Sequence, residues 1–277
     1  MKHRIITIIT VAVISLISVP AAAYQLYFGD LHSHTGFSDG TGVPEQAYDY
    51  ARNTGHADFL AVTDHVEQLG DRMDLPAGAP KETEWEHMKK TADQKNDDGK
   101  FVALAGFEWA TDFTQGHINV LNVNEITTTG NGFPLKRFFT WVKKHPDALI
   151  GFNHPNEESD KKKVFDHFAF VPDIASQTIY VATNIPLDFP FYYMALDKGW
   201  HVAPSAQQDT HSPDWCNDKS GNSTAVYADT LTLASILDAL RARRFFATND
   251  RGLTILFEGN GQPMGSIIAA DSVELTI

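Results

Sequence analysis

The sequence predicts an α/β fold with a mostly parallel sheet, either open or closed into a barrel. Short apolar runs alternate with longer amphipathic segments along most of the chain, which is the pattern of repeated βα units. The chain has 277 residues, 43% of them hydrophobic, enough for a single large domain with a well-buried core. Two smaller domains are compatible with this length but are not required.

The predicted strands are apolar runs bounded by glycine or polar residues. They cover residues 25–28, 59–62, 101–107, 118–123, 149–152, 179–182, 202–203 and 245–248. Amphipathic or charged segments between them predict helices at 44–53, 82–95, 134–144 and 233–242. The first helix has Pro44 in its first turn and Gly55 just beyond its end, both common boundary residues. Residues 251–277 contain glycine-rich turns and no clear helix, and they predict the start of a β-rich extension.

The first residues have the features of a signal peptide. Lys2 and Arg4 precede an apolar run at 5–19, and small residues follow at 21–23. The run is shorter than the ~20 residues that span a bilayer, and a buried N-terminal helix is the alternative. We therefore expect three parts: a signal peptide at 1–23, a main domain at 24–250 and a β-rich segment at 251–277. The mature protein is expected to be periplasmic or extracellular, without a stable membrane span. The chain stops within an alternating run, which leaves open whether the natural protein extends further.

Composition excludes several classes of function. The chain carries 22 Lys and Arg against 35 Asp and Glu, a formal net charge of −13, whereas nucleic-acid binding needs a basic face. The lone cysteine, Cys216, excludes an intramolecular disulfide framework and a thiolate metal cluster. The 12 histidines and the surplus of carboxylates are instead typical ligands of divalent metal ions.

Potential metal ligands stand where the predicted strands end or begin. After the first strand, His32 and His34 are two positions apart, so in extended backbone they face the same side and can bind one ion. Any one candidate taken alone is better explained as a hydrogen-bonded histidine or a solvated carboxylate. Their recurrence at the strand ends that carry active sites in barrels favours a metal centre. The candidates are His32, His34, Asp39, His65, Glu108, His117, His154, Asp209 and His211.

These motifs resemble those of the PHP family, the polymerase and histidinol phosphatase superfamily of metal-dependent hydrolases. The resemblance covers residues 30–248 and is carried by DLHSHT at 30–35, SDG at 38–40, TDH at 63–65, HP at 154–155 and DTH at 209–211, with the family's Glu at Glu108 and its next His at His117. It implies a distorted (β/α)7, TIM-like barrel whose nine ligands hold two or three divalent ions, Zn, Mn or Fe. Residues 106–108, 116–120 and 240–248, with the signal peptide, are similar to one branch, which includes secreted carbamate- and aryl-ester-cleaving hydrolases.

The resemblance also implies roles for individual carboxylates. Glu108 is the candidate bridge between two ions, because its two oxygens can reach separate ions, and Asp39 and Asp209 are the candidate terminal ligands. Asp64 either acts on water as a general base or fixes His65 as a hydrogen-bond partner, and both readings stay open.

The expected substrate is a small phosphate mono- or diester, attacked by a hydroxide that bridges the ions. A carboxylic or carbamic ester is the first alternative, and a non-catalytic metal-binding module is the second. Arg243 and Arg244 are candidate phosphate ligands, although charges at a helix C-terminus commonly balance only the helix dipole. Trp109, next to Glu108, is a candidate substrate contact.

Overall fold

The computed structural model describes residues 24–71, 73, 81–110, 116–127, 135–155, 169–183, 189–217 and 221–277. Nine of its strands form one sheet, in the order β7-β6-β5-β4-β3-β2-β1-β8-β9. They are β1 Gln25–Asp30, β2 Phe59–Val62, β3 Val102–Ala110, β4 His117–Leu121, β5 Leu149–Asn153, β6 Thr178–Ala182, β7 Ala203–Ser205, β8 Ser223–Ala228 and β9 Phe245–Thr248. The helices are α1 Pro44–Asn53, α2 Glu84–Lys95, α3 Leu135–Val142, α4 Phe189–Asp197 and α5 Leu233–Arg241, with a 3-10 turn at Pro172–Ile174.

The sheet curls into a nearly closed barrel. Strands β1, β2 and β3 are parallel, as are β5, β6 and β7, whereas β4 runs antiparallel to both of its neighbours. Strand β8 is antiparallel to β1 and to β9. The two edges of the sheet meet where β7 packs against β9, and Ser205 Oγ in β7 lies 2.8 Å from Thr224 Oγ1 in β8. The predicted α/β class and distorted barrel are confirmed, with antiparallel strands as the distortion.

Alternating side chains divide the core into an inner and an outer layer. In β2, Phe59 and Ala61 face the barrel interior, whereas Leu60 and Val62 pack against the outer helices α1 and α2. Helix α5 closes the end of the barrel where the parallel strands begin, because its Ile236, Ala239 and Leu240 pack among the inward-facing side chains. The opposite end, where those strands finish, remains open to solvent.

Several predicted boundaries are exact, and others require correction. The predictions at 44–53, 59–62 and 245–248 match α1, β2 and β9. Strand β3 continues to Ala110, so Glu108 lies within the strand instead of after it. Strand β8 was not predicted, because its sequence STAVYA opens with small polar residues although all six positions are buried. Helix α4 was not predicted either, because its Phe-Pro-Phe-Tyr-Tyr start is not typical of a helix.

The chain after β9 adds a small separate sheet. Strand β10, Glu258–Gly259, pairs antiparallel with β11, Gln262–Pro263, and with β12, Leu275–Thr276. This extra sheet agrees with the predicted β-rich segment. No helix in the described part of the chain is long and apolar enough to cross a membrane. The signal-peptide prediction for 1–23 falls outside the described residues.

Candidate metal centre

The predicted ligands converge at the open end of the barrel. Eight of them line one cavity of about 490 Å³, and the ninth, His32, is fully buried beneath them. His32 and His34 follow β1, His65 follows β2 and His154 follows β5, so parallel topology brings them to one edge. His117 reaches the same edge by a different route. Strand β4 is antiparallel, so its first residue stands beside Ala110 and Asn153 at the ends of its neighbours.

Glu108 lies at the centre of the cluster. Its Oε1 is 3.4 Å from His32 Nε2, 3.2 Å from His154 Nε2 and 3.3 Å from His117 Nδ1. Its Oε2 is 3.3 Å from His65 Nδ1 and 3.5 Å from His34 Nε2. Two ligand atoms that each lie ~2.1 Å from one ion in tetrahedral geometry are about 3.4 Å apart. All five nitrogen–oxygen distances are close to this value and fit shared ligation of an ion. The two oxygens thus face two separate sets of histidine nitrogens, as a bridging carboxylate requires.

The remaining carboxylates extend the cluster on either side. Asp209 Oδ1 lies 3.0 Å from His32 Nε2 and 3.1 Å from His34 Nε2. Asp39 Oδ1 lies 3.3 Å from His211 Nε2. Four groups of three ligand atoms are close enough to hold an ion each: His32, His34 and Asp209; His32, Glu108 and His154; His34, His65 and Glu108; and His34, Asp39 and His211.

Hydrogen bonds at the second ring nitrogen orient three of these histidines. His32 Nδ1 lies 2.8 Å from Thr63 Oγ1, His34 Nδ1 lies 3.2 Å from Ser38 Oγ, and His211 Nδ1 donates to the Asp209 carbonyl at 2.9 Å. A histidine that donates from Nδ1 presents a lone pair at Nε2. In all three residues Nε2 is the ring nitrogen closer to a carboxylate of the cluster, at 3.0 Å, 3.1 Å and 3.3 Å for His32, His34 and His211.

Unsatisfied polar atoms within the cluster fit a bound cation. Among the described residues, His34 Nε2, His65 Nδ1 and Asp209 Oδ1 are buried and make no well-aligned hydrogen bond, although each lies within 3.3 Å of another atom of the cluster. Leaving such an atom unpaired costs about 1–3 kcal/mol, which a shared metal ion would offset. All the donors are imidazole nitrogens and carboxylate oxygens, a set that suits divalent transition metals and does not choose among Zn, Mn and Fe.

The electrostatics at His32 and Glu108 favour the ligand forms, whereas the Asp209 and Glu108 carboxylates raise the pKa of His34 despite its burial. Burial lowers the pKa of His32 despite the nearby Glu108 and Asp209 carboxylates, so the neutral imidazole is favoured. Burial alone would raise the pKa of Glu108, but His32, His117 and His154 together hold it well below its usual range. Metal ligation needs this combination, because neutral imidazole and ionised carboxylate are the binding forms.

Two of the predicted ligands have strained backbones. His154 has φ 40° and Asp209 has φ 50°, both in the left-handed region that non-glycine residues seldom adopt. Such conformations cost of order 1–3 kcal/mol and persist where the surrounding structure imposes them. Here the left-handed conformation directs the His154 side chain, directly after β5, and the Asp209 side chain, in the segment after β7, into the cluster.

Asp64 lies beside the cluster, where its contacts differ from those that either predicted role requires. Its carboxylate is fully buried and accepts hydrogen bonds from the Thr35 N–H and Thr35 Oγ1, both at 2.7 Å, and from Ser38 Oγ. None of the hydrogen bonds to the carboxylate within the described residues comes from His65. Both predicted roles therefore need revision.

Two further residues support the cluster and were not predicted. Asn153 Nδ2 donates to Glu108 Oε1 at 2.8 Å. The buried Asp30 accepts the N–H groups of His32 and Gln208, both at 3.1 Å, and so ties the first motif to the last. Burial raises the pKa of Asp30 to about 7. Asp30 opens the DLHSHT motif and Asn153 directly precedes His154, and these positions are the only signal in the sequence that points to them.

The three predicted substrate contacts lie away from the cavity. Trp109 is fully buried and stacks on Phe138 of α3, with ring centroids 4.5 Å apart, because alternation in β3 turns it to the face opposite Glu108. The Arg244 guanidinium lies 4.4 Å from the ring of Tyr24. The buried Arg243 guanidinium donates to backbone carbonyls at the closed end of the barrel, those of Ala175, Ser176, Thr178, His201 and Arg241. The structure therefore supports none of the three as a substrate contact.

Comparisons with known proteins identify the fold. A family model described as "Protein of unknown function (DUF3604)" matches residues 73–145. No curated protein sequence matches the chain. A solved two-domain protein from Bacteroides vulgatus, described as containing a predicted PHP-like metal-dependent phosphoesterase, aligns with TM-score 0.59 and 21% identity.

That alignment covers 82% of this chain and 65% of the Bacteroides protein, so the chain spans less than two thirds of its length. An amidohydrolase from Chromobacterium violaceum aligns at TM-score 0.43 and 14% identity, over 66% of this chain and 87% of that one. The Bacteroides likeness is strong enough to establish architecture. This chain therefore shares the fold of the Bacteroides protein, a distorted TIM-like barrel.

Proposed function

We propose that this protein is a metal-dependent hydrolase that cleaves a phosphate mono- or diester at the open end of the barrel. The observation that carries the proposal is the position of Glu108, whose two oxygens face separate sets of histidine nitrogens. When bound, two divalent ions in such a site supply a hydroxide nucleophile at neutral pH and polarise the substrate oxygen. The description of the Bacteroides protein as a phosphoesterase supports the choice of a phosphate ester.

The residues of this chain would divide the work between binding and positioning. The imidazoles of His32, His34 and His154 would hold ions through Nε2, and Glu108 would bridge two of them. Asn153 would keep the Glu108 carboxylate in place through its 2.8 Å hydrogen bond. The cavity above Glu108 has room for a small ester and is open to solvent on one side.

A carboxylic or carbamic ester is the second candidate substrate, and the cavity lining favours it. The lining side chains within the described residues are histidines, carboxylates, Gln68 and Ala110, without arginine or lysine. Phosphate recognition normally uses such cations or backbone N–H groups near the metals. Arg243 and Arg244 lie elsewhere, so charge selection for phosphate would depend on the ions themselves.

Export through a signal peptide at 1–23 remains part of the proposal and agrees with the branch of secreted ester hydrolases.

The test is reconstitution of the purified protein with Zn, Mn or Fe after chelation, followed by metal analysis and a substrate screen. The screen contains nitrophenyl phosphate, bis-nitrophenyl phosphate, an aryl acetate and an aryl carbamate. We expect at least two ions per chain and hydrolysis of the phosphate esters. Hydrolysis of only the acetate or carbamate would select the second candidate. Two ions without any hydrolysis would indicate a non-catalytic metal-binding module, and less than one ion per chain would overturn the metal centre.

A further inference from the structure

The buried carboxylate of Asp64 is connected to a predicted metal ligand through one hydroxyl group. Ser38 Oγ donates to Asp64 Oδ1 at 2.5 Å and lies 3.2 Å from His34 Nδ1. Asp39 Oδ1, a carboxylate oxygen, lies 3.5 Å from His34 Nδ1 and is therefore farther from it than Ser38 Oγ. The three residues therefore form a continuous chain of contacts from carboxylate to hydroxyl to imidazole.

The direction of the protons in this chain follows from chemistry. A carboxylate only accepts hydrogen bonds, so the Ser38 proton points to Asp64. Only lone pairs of Ser38 Oγ then face His34, and Nδ1 must carry the proton to make the contact favourable. A neutral imidazole has a single proton, so His34 Nε2 is left with its lone pair. Nε2 is the atom that lies 3.1 Å from Asp209 Oδ1 and 3.5 Å from Glu108 Oε2.

We propose that Asp64 is a positioning residue that fixes the tautomer of His34 through Ser38, so that His34 Nε2 is available as a metal ligand. The inference rests on the proposed metal centre and assigns Asp64 a role within it. A general-base role is disfavoured because Asp64 is fully buried and its oxygens already accept three hydrogen bonds. A role through His65 is disfavoured because those bonds all come from Thr35 and Ser38.

Substitution of Asp64 by alanine would release the Ser38 proton. Asparagine would not, because Asp64 Oδ1 accepts both the Thr35 N–H and the Ser38 hydroxyl, and an amide oxygen would take the same place. Without the carboxylate, the Ser38 hydroxyl can donate to His34 Nδ1, and the imidazole proton then moves to Nε2, where it blocks ligation. Ser38→Ala removes the connection altogether. Thr35→Val is the matched control, because it also removes one hydroxyl hydrogen bond to Asp64 but leaves Ser38 and His34 in contact.

The experiment is a titration of the metal-free protein with Co²⁺, followed by its d–d absorption, for the wild type and the three variants. We expect Asp64→Ala and Ser38→Ala to weaken Co²⁺ binding about 10- to 100-fold and to shift the absorption bands. Thr35→Val should stay within about threefold of the wild type on the same scale. Thermal unfolding of each metal-free variant checks that the barrel is folded. Nitrogen-15 spectra of histidine-labelled metal-free protein should show the His34 proton on Nδ1 in the wild type and on Nε2 in Asp64→Ala.

The outcomes separate the two levels of the inference. Unchanged Co²⁺ affinity in Ser38→Ala and Asp64→Ala, with normal binding by the wild type, would overturn the tautomer role and leave the metal centre intact. Equal losses in Thr35→Val and Ser38→Ala would show that Asp64 only anchors the loop. Absence of Co²⁺ bands in the wild type would overturn the metal centre and this inference with it. If Asp64→Ala does not fold, the comparison of Ser38→Ala with Thr35→Val decides alone.

Discussion

The Nε2 atoms of His32 and His154 lie 3.3 Å apart, although the two residues are 122 positions apart in the sequence. Thr63 Oγ1 lies 2.8 Å from the other ring nitrogen of His32, Nδ1, so a proton on Nδ1 would leave the lone pair of Nε2 facing His154. Glu108 Oε1 stands beside both nitrogens, at 3.4 Å and 3.2 Å. Three electron-rich atoms this close are mutually stabilised by a cation among them, which makes Glu108 the residue whose loss should be felt most.

Glu108→Gln should lower the metal content from two or more ions per chain to about one and reduce hydrolysis at least about 100-fold. The amide retains the size of the side chain but presents only one oxygen, so it cannot bridge two sets of histidines. Elemental analysis after reconstitution and a rate measurement check both effects. Glu125→Gln, at an exposed residue paired with His145, is the matched control and should change neither. Full metal content in Glu108→Gln would argue against a bridge.

The positions of the ligands could be predicted because they depend on local rules. His32 and His34 share a side through two-residue alternation, and parallel strands bring His65 and His154 to the same edge without any knowledge of packing. The orientation of Trp109 depends on the length of β3. Because β3 continues through Ala110, side-chain alternation places Trp109 on the face of the strand opposite to Glu108.

Other features depend on contacts between distant segments and could not be predicted. The role of Asp30 in holding the ligand motifs together depends on the backbone N–H of Gln208, which lies 178 positions later in the sequence. Arg243 is predicted as a phosphate ligand only from its position after a predicted helix, which does not say at which end of the barrel that helix finishes. Helix α5 closes the end opposite to the metal cluster, which only the packing of Ile236 and Leu240 inside the barrel reveals.

Trp109→Ala should reduce the free energy of unfolding by about 3–5 kcal/mol, since it removes a fully buried indole that stacks on Phe138. Trp109→Phe should cost less and should leave KM unchanged, because the side chain does not face the cavity. Denaturant unfolding and steady-state kinetics on the folded variant check the two expectations. An increased KM in Trp109→Phe with unchanged stability would restore Trp109 as a substrate contact.

Arg243→Met should destabilise the protein by at least about 2 kcal/mol, because several buried carbonyl groups lose their donor at once. Arg244→Met is the paired comparison and should cost less, because Arg244 loses only a cation–π contact with Tyr24 and one hydrogen bond, at 3.3 Å, to the Tyr227 carbonyl. Neither substitution should alter KM for a phosphate ester. A tenfold or larger increase in KM in either folded variant would contradict the placement of these arginines outside the site.

Glu84, at the start of α2, should make the stability of the metal-free protein depend on pH. Burial, and then the charges of Asp71 and Asp64, raise its pKa from 4.5 to about 7. The folded state therefore holds this proton more tightly than the unfolded state. The contribution of this proton to the free energy of unfolding is fully present below about pH 4.5. It is lost as the pH rises through about 7.

Glu84→Gln mimics the protonated side chain and should raise the melting temperature at pH 8 while having little effect at pH 4.5. The side chain is partly exposed, so solvent screening limits the gain to about 1 kcal/mol. Glu86→Gln is the control in the same helix turn. Glu86 accepts the Thr83 N–H at 2.9 Å, and this bond lowers its pKa, so its substitution should destabilise at pH 8. Thermal unfolding between pH 4.5 and 8 measures both, and a Glu84→Gln variant less stable than the wild type at pH 8 would reverse the assigned sign.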